Sequence, residues 1–178
     1  LGLDKSVSFS TDERGLVITV IDNVFFDSGA VDIKPRALKL LREVAQFCKD
    51  TDSQILVEGH TDDREIKTQQ VSSNWELSML RAAKVIRFFI KEVGFNPKKI
   101  YGAGYADTKP LVPNMSEANR SRNRRIEIVM LNEFWKRSPV TSTTTTNLTK
   151  LDLIERERHI KEEDIKKLDP YAIETTKE

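Results

Sequence analysis

The densest run of reactive side chains is VEGHTDDREI, residues 57–66. His60 and Asp62 stand two positions apart, with Asp63 and Glu65 close behind. Three chemistries suit that spacing: an acid–base pair, a hard-cation site built from carboxylate oxygens, or a docking point for a charged ligand. Catalysis would call for a third, orienting group and usually a Ser or Cys within reach. The chain's other histidine, His159, falls in a charged C-terminal segment, and no GxSxG, CxxC or HExxH pattern accompanies His60. A single histidine cannot make a His-rich metal site. No catalytic residue, metal ligand or cofactor is therefore assigned, and His60 is expected to hydrogen-bond at a strand end.

A second set of side chains lies downstream. Asn74, Ser78 and Arg81 are spaced four and three apart, so on a helix they share one face. Arg81 sits among Leu77, Leu80, Ala82 and Ala83, where its stem could simply cover the core edge. Alternatively, Arg81 and the acidic loop after residue 58 converge at one edge of a sheet. A fixed carboxylate and a fixed guanidinium there would complement a zwitterionic amino-acid head, Asp62 taking the ammonium and Arg81 the carboxylate.

Two further motifs carry less. Gly102-Ala103-Gly104 lacks the third glycine and following helix of a dinucleotide fingerprint and reads as a tight strand exit. Residues 119–125, NRSRNRR, form a thin basic cluster without interleaved aromatics. They read as a capped turn with solvated or acid-paired arginines, or as a positive rim for an anionic ligand.

These side chains need a scaffold to position them. Leu16–Ile21 alternates as a strand and is expected to run on into Val24-Phe25-Phe26. Pro35 opens a helix reaching about Lys49, with Leu38, Leu41, Val44, Ala45 and Cys48 as its apolar stripe. A strand over Ile55–Glu58 ends in the motif above. Ser73-Asn74-Trp75-Glu76 is a capping box, and the helix it opens closes at Gly94. Strands follow at Lys99–Gly104 and Arg124–Leu131, with Ile126, Ile128 and Met130 facing one way. The order β-α-β-α-β-β predicts an α/β sandwich of the α+β kind, a mixed sheet with helices on one face.

Residues 1–15 read as an N-terminal linker, 16–137 as the folded domain, 138–150 as a Thr/Ser-rich linker, and 151–178 as a charged tail with a thin apolar stripe. In 178 residues, Lys plus Arg is 29 and Asp plus Glu 28, a net charge of +1. That balance argues against nucleic acid or a membrane surface as the main partner. The lone cysteine, Cys48, rules out an internal disulfide and is expected to be an inert core residue. No apolar run reaches the ~20 residues of a membrane span. The chain starts at Leu1 and reads as a soluble piece of something longer, with any anchor upstream.

GHTD at 59–62, SNWELSMLRAAKVIRFF at 73–89, GAGYADTKPLVPN at 102–114 and NRSRNRRIEIVML at 119–131 together resemble the OmpA C-terminal-like domain. Within it, SNWELS and the GYADTKPLVPN segment are most similar to the MotB branch of flagellar stator subunits. The resemblance covers about residues 17–131. It implies non-covalent binding of peptidoglycan through the diaminopimelate of its stem peptide, without catalysis. By position in the motifs, Asp62 would hold the ammonium and Arg81 the carboxylate of that residue, with Thr61 and Asn74 lining the pocket. Phe26, Asp27, Ser28 and Gly29 match a loop beside it, and Arg124 falls in the NRR signature. The resemblance further implies a periplasmic location, a homodimer, an upstream membrane segment and a MotA-like channel partner. An outer-membrane protein or lipoprotein anchor of the same fold is the alternative, and a cell-wall enzyme the rival of a different class. Asp63-Arg64-Glu65-Ile66 departs from the Val-Pro-Ile character of the MotB-like loop, which leaves its conformation open.

Overall fold

The computed structural model describes residues 7–132. The linker and tail expected at 138–178 lie outside them. A five-stranded sheet runs in the order β1-β2-β5-β3-β4. Its strands are β1 (Val7–Asp12), β2 (Gly15–Ile21), β3 (Gln54–His60), β4 (Ile100–Gly104) and β5 (Arg125–Leu131). All neighbours are antiparallel except β3 and β4, which pair in parallel. Parallel neighbours need a long crossover, and helix α3 (Asn74–Val93) supplies it.

Strand alternation decides the core. Ile18 and Val20 on β2, Ile55 and Val57 on β3, and Ile126, Ile128 and Met130 on β5 all turn one way. They meet Leu41, Val44, Ala45 and Cys48 of α2 (Leu38–Asp50) and Ala82, Val85, Phe88 and Phe89 of α3. Both long helices thus cover one face, as the β-α-β-α-β-β reading expects. Cys48 is buried with its thiol pushed up to about 12 by that burial, which fits an inert core residue. Leu38, by contrast, is left exposed at the start of its helix.

Both helix starts follow the local code. Pro35 begins a short 3-10 turn, Pro35–Ala37, that feeds α2. The Ser73 hydroxyl accepts from the Glu76 N–H, while the Glu76 carboxylate accepts from the N–H and hydroxyl of Ser72. The reciprocal bond of the capping box is therefore shifted by one residue. At the other end Gly94 adopts φ +66° and closes α3.

The structure differs from the sequence reading in four places. Residues 7–12, placed in a linker, form edge strand β1 against β2; its mostly exposed, polar side chains give little hydrophobic periodicity. The stretch expected to extend β2 through Phe26 instead turns into a one-turn helix, α1 (Asp22–Phe25). Residues 119–125, read as a capped turn, instead fall largely in a short helix, α4 (Glu117–Asn123), capped by Ser116. Gly102 and Gly104 do more than form a strand exit: they face α3 and admit it closely.

Candidate functional site

His60 and Asp62 are not a pair. They open onto different cavities on either side of the sheet end. His60 projects to the face opposite the helices, stacked on Tyr105 at 5.2 Å between ring centroids. Burial, then the Arg125 charge, pushes its pKa down to about 3, so the imidazole is neutral. Neither ring nitrogen has a hydrogen-bond partner among the described residues, contrary to the expectation of a bonded strand-end histidine. Ligand atoms of His60, Glu58 and Glu127 lie within 4.8 Å of one another. Arginines already balance these carboxylates: Arg14 reaches Glu58 at 2.5 Å, and Arg125 reaches Glu127 at 2.6 Å. A divalent cation would compete with both, so the cluster reads as an ion-pair network.

Asp62 lines a cavity of about 510 Å³ on the helix side, together with Thr61, Asn74, Arg81, Arg124, Phe26, Ser28 and Gly29. Nearly every residue singled out from the sequence converges here. Asp27 is the exception; its carboxylate turns to Lys34 at 2.8 Å and stays exposed. Ser78, on the same helix face as Arg81, does not line the cavity either. Its hydroxyl accepts from the Ala106 N–H at 3.1 Å and so ties α3 to the loop after β4.

Three elements bring the set together. The first is the end of β3, held close to α3 because Gly59 has no side chain. A Cβ there would stand 2.1 Å from the Ser78 carbonyl oxygen. The second is the first two turns of α3. Asn74 sits at its start and donates through Nδ2 to the carbonyls of Asp62 (3.3 Å) and Arg64 (2.9 Å), so it pins the loop after β3. The third is the loop after α1. Arg81 reaches into it, donating through Nε to the Ala30 carbonyl at 2.9 Å and through Nη2 to that of Asp27 at 3.1 Å.

Arg81 is only 2% exposed. Its Nη1 lies 2.9 Å from Asp22 Oδ1, and its guanidinium stacks 4.8 Å over the Phe26 ring. Asp22 Oδ1 nevertheless lacks an aligned hydrogen bond. The contact is therefore best described as an ion pair held by charge rather than by a directed bond. Burial raises the Asp22 pKa to about 6 despite the pull of Arg81, Arg124 and Lys34. Each Arg81 nitrogen is thus engaged, and only second hydrogens on Nη1 and Nη2 remain for a ligand. Arg81 serves the cavity both as a lining cation and as the residue that shapes its wall.

Asp62 is equally committed. Oδ1 accepts from the Arg64 N–H at 3.0 Å, and Oδ2 accepts from Arg64 Nε (3.2 Å), Arg64 Nη2 (2.8 Å) and Arg124 Nη1. Burial would raise its pKa, but these bonds outweigh it and hold the carboxyl below the usual range. Glu117 steadies both arginines, at 2.8 Å from Arg124 and 3.1 Å from Arg64. The departing DREI loop is ordered by the same logic. Asp63 pairs with Arg120 at 2.9 Å, and Ile66 packs onto Val31, Val71 and Leu77. Three arginines of the 119–125 cluster, Arg120, Arg124 and Arg125, therefore pair with acids, while Arg122 is exposed.

Sequence reasoning gave no site role to several residues of this cavity, among them Asp22, Arg64 and Glu117. Asp22 had a faint signal as an acid closing an apolar strand. Glu117 had one as the first residue after a Ser cap.

In this small α+β domain an acid and a buried arginine line one polar cavity, groups of the charges needed to complement a zwitterion. The chain belongs to the OmpA family, whose pattern matches residues 25–124. It is 38% identical over 141 residues to the uncharacterized protein YtxE of Bacillus subtilis, covering 79% of this chain and 56% of YtxE. To Motility protein B of the same organism it is 32% identical over 130 residues, 72% of this chain and 50% of that protein. The chain thus spans about half the length of these curated relatives. The structure of the cell wall anchor of the type VI secretion system from Pseudomonas aeruginosa superposes with a TM-score of 0.68 at 31% identity, covering 72% of this chain and 90% of that one. No helix among the described residues is long and apolar enough to cross a membrane.

Proposed function

We propose that this domain binds peptidoglycan non-covalently and anchors a MotB-like flagellar stator to the cell wall, so that ion flow through the motor becomes torque. The ligand group is the zwitterionic end of diaminopimelate in the stem peptide. Asp62 receives its ammonium, and Arg81, with Arg124 beside it, receives its carboxylate. Thr61 and Asn74 hold the loop that presents Asp62, while Phe26, Ser28 and Gly29 form the facing wall. One observation carries this reading: the acid after β3 and the pinning asparagine and buried arginine of α3 line a single cavity. The likeness to Motility protein B supports the stator role. With it come a periplasmic location, a homodimer, an upstream membrane segment and a MotA-like partner.

The reading is of a binding module rather than an enzyme. His60, the natural acid–base candidate, faces the other side of the sheet from Asp62. Co-sedimentation with purified sacculi tests the proposal. The domain should pellet with diaminopimelate-type sacculi, and Asp62→Asn should lose at least about 30-fold in affinity, the scale of removing one partner from a charged contact. Lysine-type sacculi lack the carboxylate that Arg81 would grip and should bind more weakly. Full binding by a folded Asp62→Asn protein would sink the assignment.

A further inference from the structure

We infer that Arg64 is a built-in competitor for the ligand's ammonium, an internal cation occupying Asp62 until peptidoglycan displaces it. The inference rests on the reading of Asp62 given above. Asp62 Oδ2 already accepts from Arg64 Nε and Nη2 and from Arg124 Nη1. With that oxygen filled, an incoming ammonium gains full access only when one guanidinium withdraws.

The two arginines differ in how firmly they are held. Arg124 has a side chain 25% exposed and sits where β5 begins; its carbonyl accepts from the Asp22 N–H at 2.9 Å, and Glu117 holds its Nη2 at 2.8 Å. Arg64 has a side chain 55% exposed and extends from a loop. Beyond Asp62, its guanidinium pairs among the described residues with Glu117, itself 60% exposed, with Nη1 3.1 Å from Oε2. Arg64 is the one free to leave. Glu117 gives it somewhere to go, since the displaced guanidinium keeps a counter-charge at the cavity rim.

The loop does not depend on that side chain. The bond to Asp62 Oδ1 comes from the Arg64 backbone N–H, and the bond from Asn74 goes to the Arg64 carbonyl. Both survive truncation to alanine, and Ile66 remains anchored against Val31, Val71 and Leu77. Arg64→Ala therefore removes the competing cation and leaves Asp62 presented as before.

The two possible roles of Arg64 predict opposite signs. As a competitor its loss tightens binding; as a ligand contact or general attractor its loss weakens it. The experiment measures co-sedimentation of wild type, Arg64→Ala, Asp62→Asn and Arg122→Ala with diaminopimelate-type sacculi, alongside urea unfolding of each. Arg122 is an exposed arginine outside the cavity and controls for loss of one positive charge. Arg64→Ala should bind up to about 5-fold more tightly than wild type, the upper end of what an exposed charge pair contributes. Arg122→Ala should bind as wild type or slightly more weakly. Equal or weaker binding by a folded Arg64→Ala, with wild type binding and Asp62→Asn failing, overturns the competitor while leaving the ligand reading intact. Absence of binding by wild type removes both.

Discussion

Replacing Gly59 by alanine probes the contact on which the cavity is built. The new Cβ would lie 2.1 Å from the Ser78 carbonyl oxygen and 2.8 Å from its carbonyl carbon. Both are main-chain atoms of α3, so no rotamer change relieves the clash, and strand and helix must part by more than an ångström. Overpacking of this kind costs about 1–3 kcal/mol, and a backbone obstacle puts it at the upper end. Alanine recovers up to about 1 kcal/mol of the glycine's conformational entropy, leaving a net loss of about 2 kcal/mol. With a urea m-value of about 1–3 kcal/mol/M, the unfolding midpoint should drop by about 1 M. Gly102→Ala is the matched control. Its Cβ clashes only with the Cδ1 end of Ile86, at 2.6 Å, which can rotate away, while the Val57 carbonyl oxygen stays at 3.8 Å. Because Asn74 and Arg81 ride on α3 while Asp62 follows β3, the same shift should weaken binding to sacculi in Gly59→Ala alone. Coincident unfolding midpoints for the two variants would refute the reasoning.

Arg81→Ala leaves Asp22 buried without its counter-charge and should destabilise the fold by about 3–5 kcal/mol, measured by denaturant unfolding; its loss of binding must therefore be read at matched folded fraction. Ser73→Ala removes the hydroxyl acceptor at the start of α3 and should cost about 1 kcal/mol in the same assay. Acidification sets two buried groups against each other. His60, at about 3 instead of 6.5, takes its proton first in the unfolded chain, so its share of stability falls as pH drops below about 6.5. Asp22, at about 6 instead of 3.8, takes its proton first in the folded chain, so its burden is relieved as pH drops through 6. Asp22→Asn abolishes only the second effect, and its unfolding free energy should fall more steeply than wild type between pH 7 and 4; parallel profiles would contradict the burial argument.

Much of this protein could be read from residues near one another in the chain. Pro35, Ser73 and Gly94 mark helix ends because capping and backbone φ are satisfied within a few residues. The spacing of Ile126, Ile128 and Met130 names the core face of β5 because side chains alternate on any strand. Spacing placed Asn74 and Arg81 on one helix face and suggested Asp62 and Arg81 as a charged pair, while the likeness to a family added Thr61 and the proposed ligand. Tertiary structure decided whatever depends on partners distant in sequence. Strand β1 exists because β2 offers it a partner, and α1 and α4 are too short for periodicity to reveal. Asp22 acquires its raised pKa from burial beside Arg81, and Arg64 acquires its role only once Asp62 is held at the cavity edge by Asn74 and Arg124. His60 and Asp62, two positions apart, were separated by the sheet itself. Local sequence encodes conformation, but charge, burial and access are properties of the assembled neighbourhood.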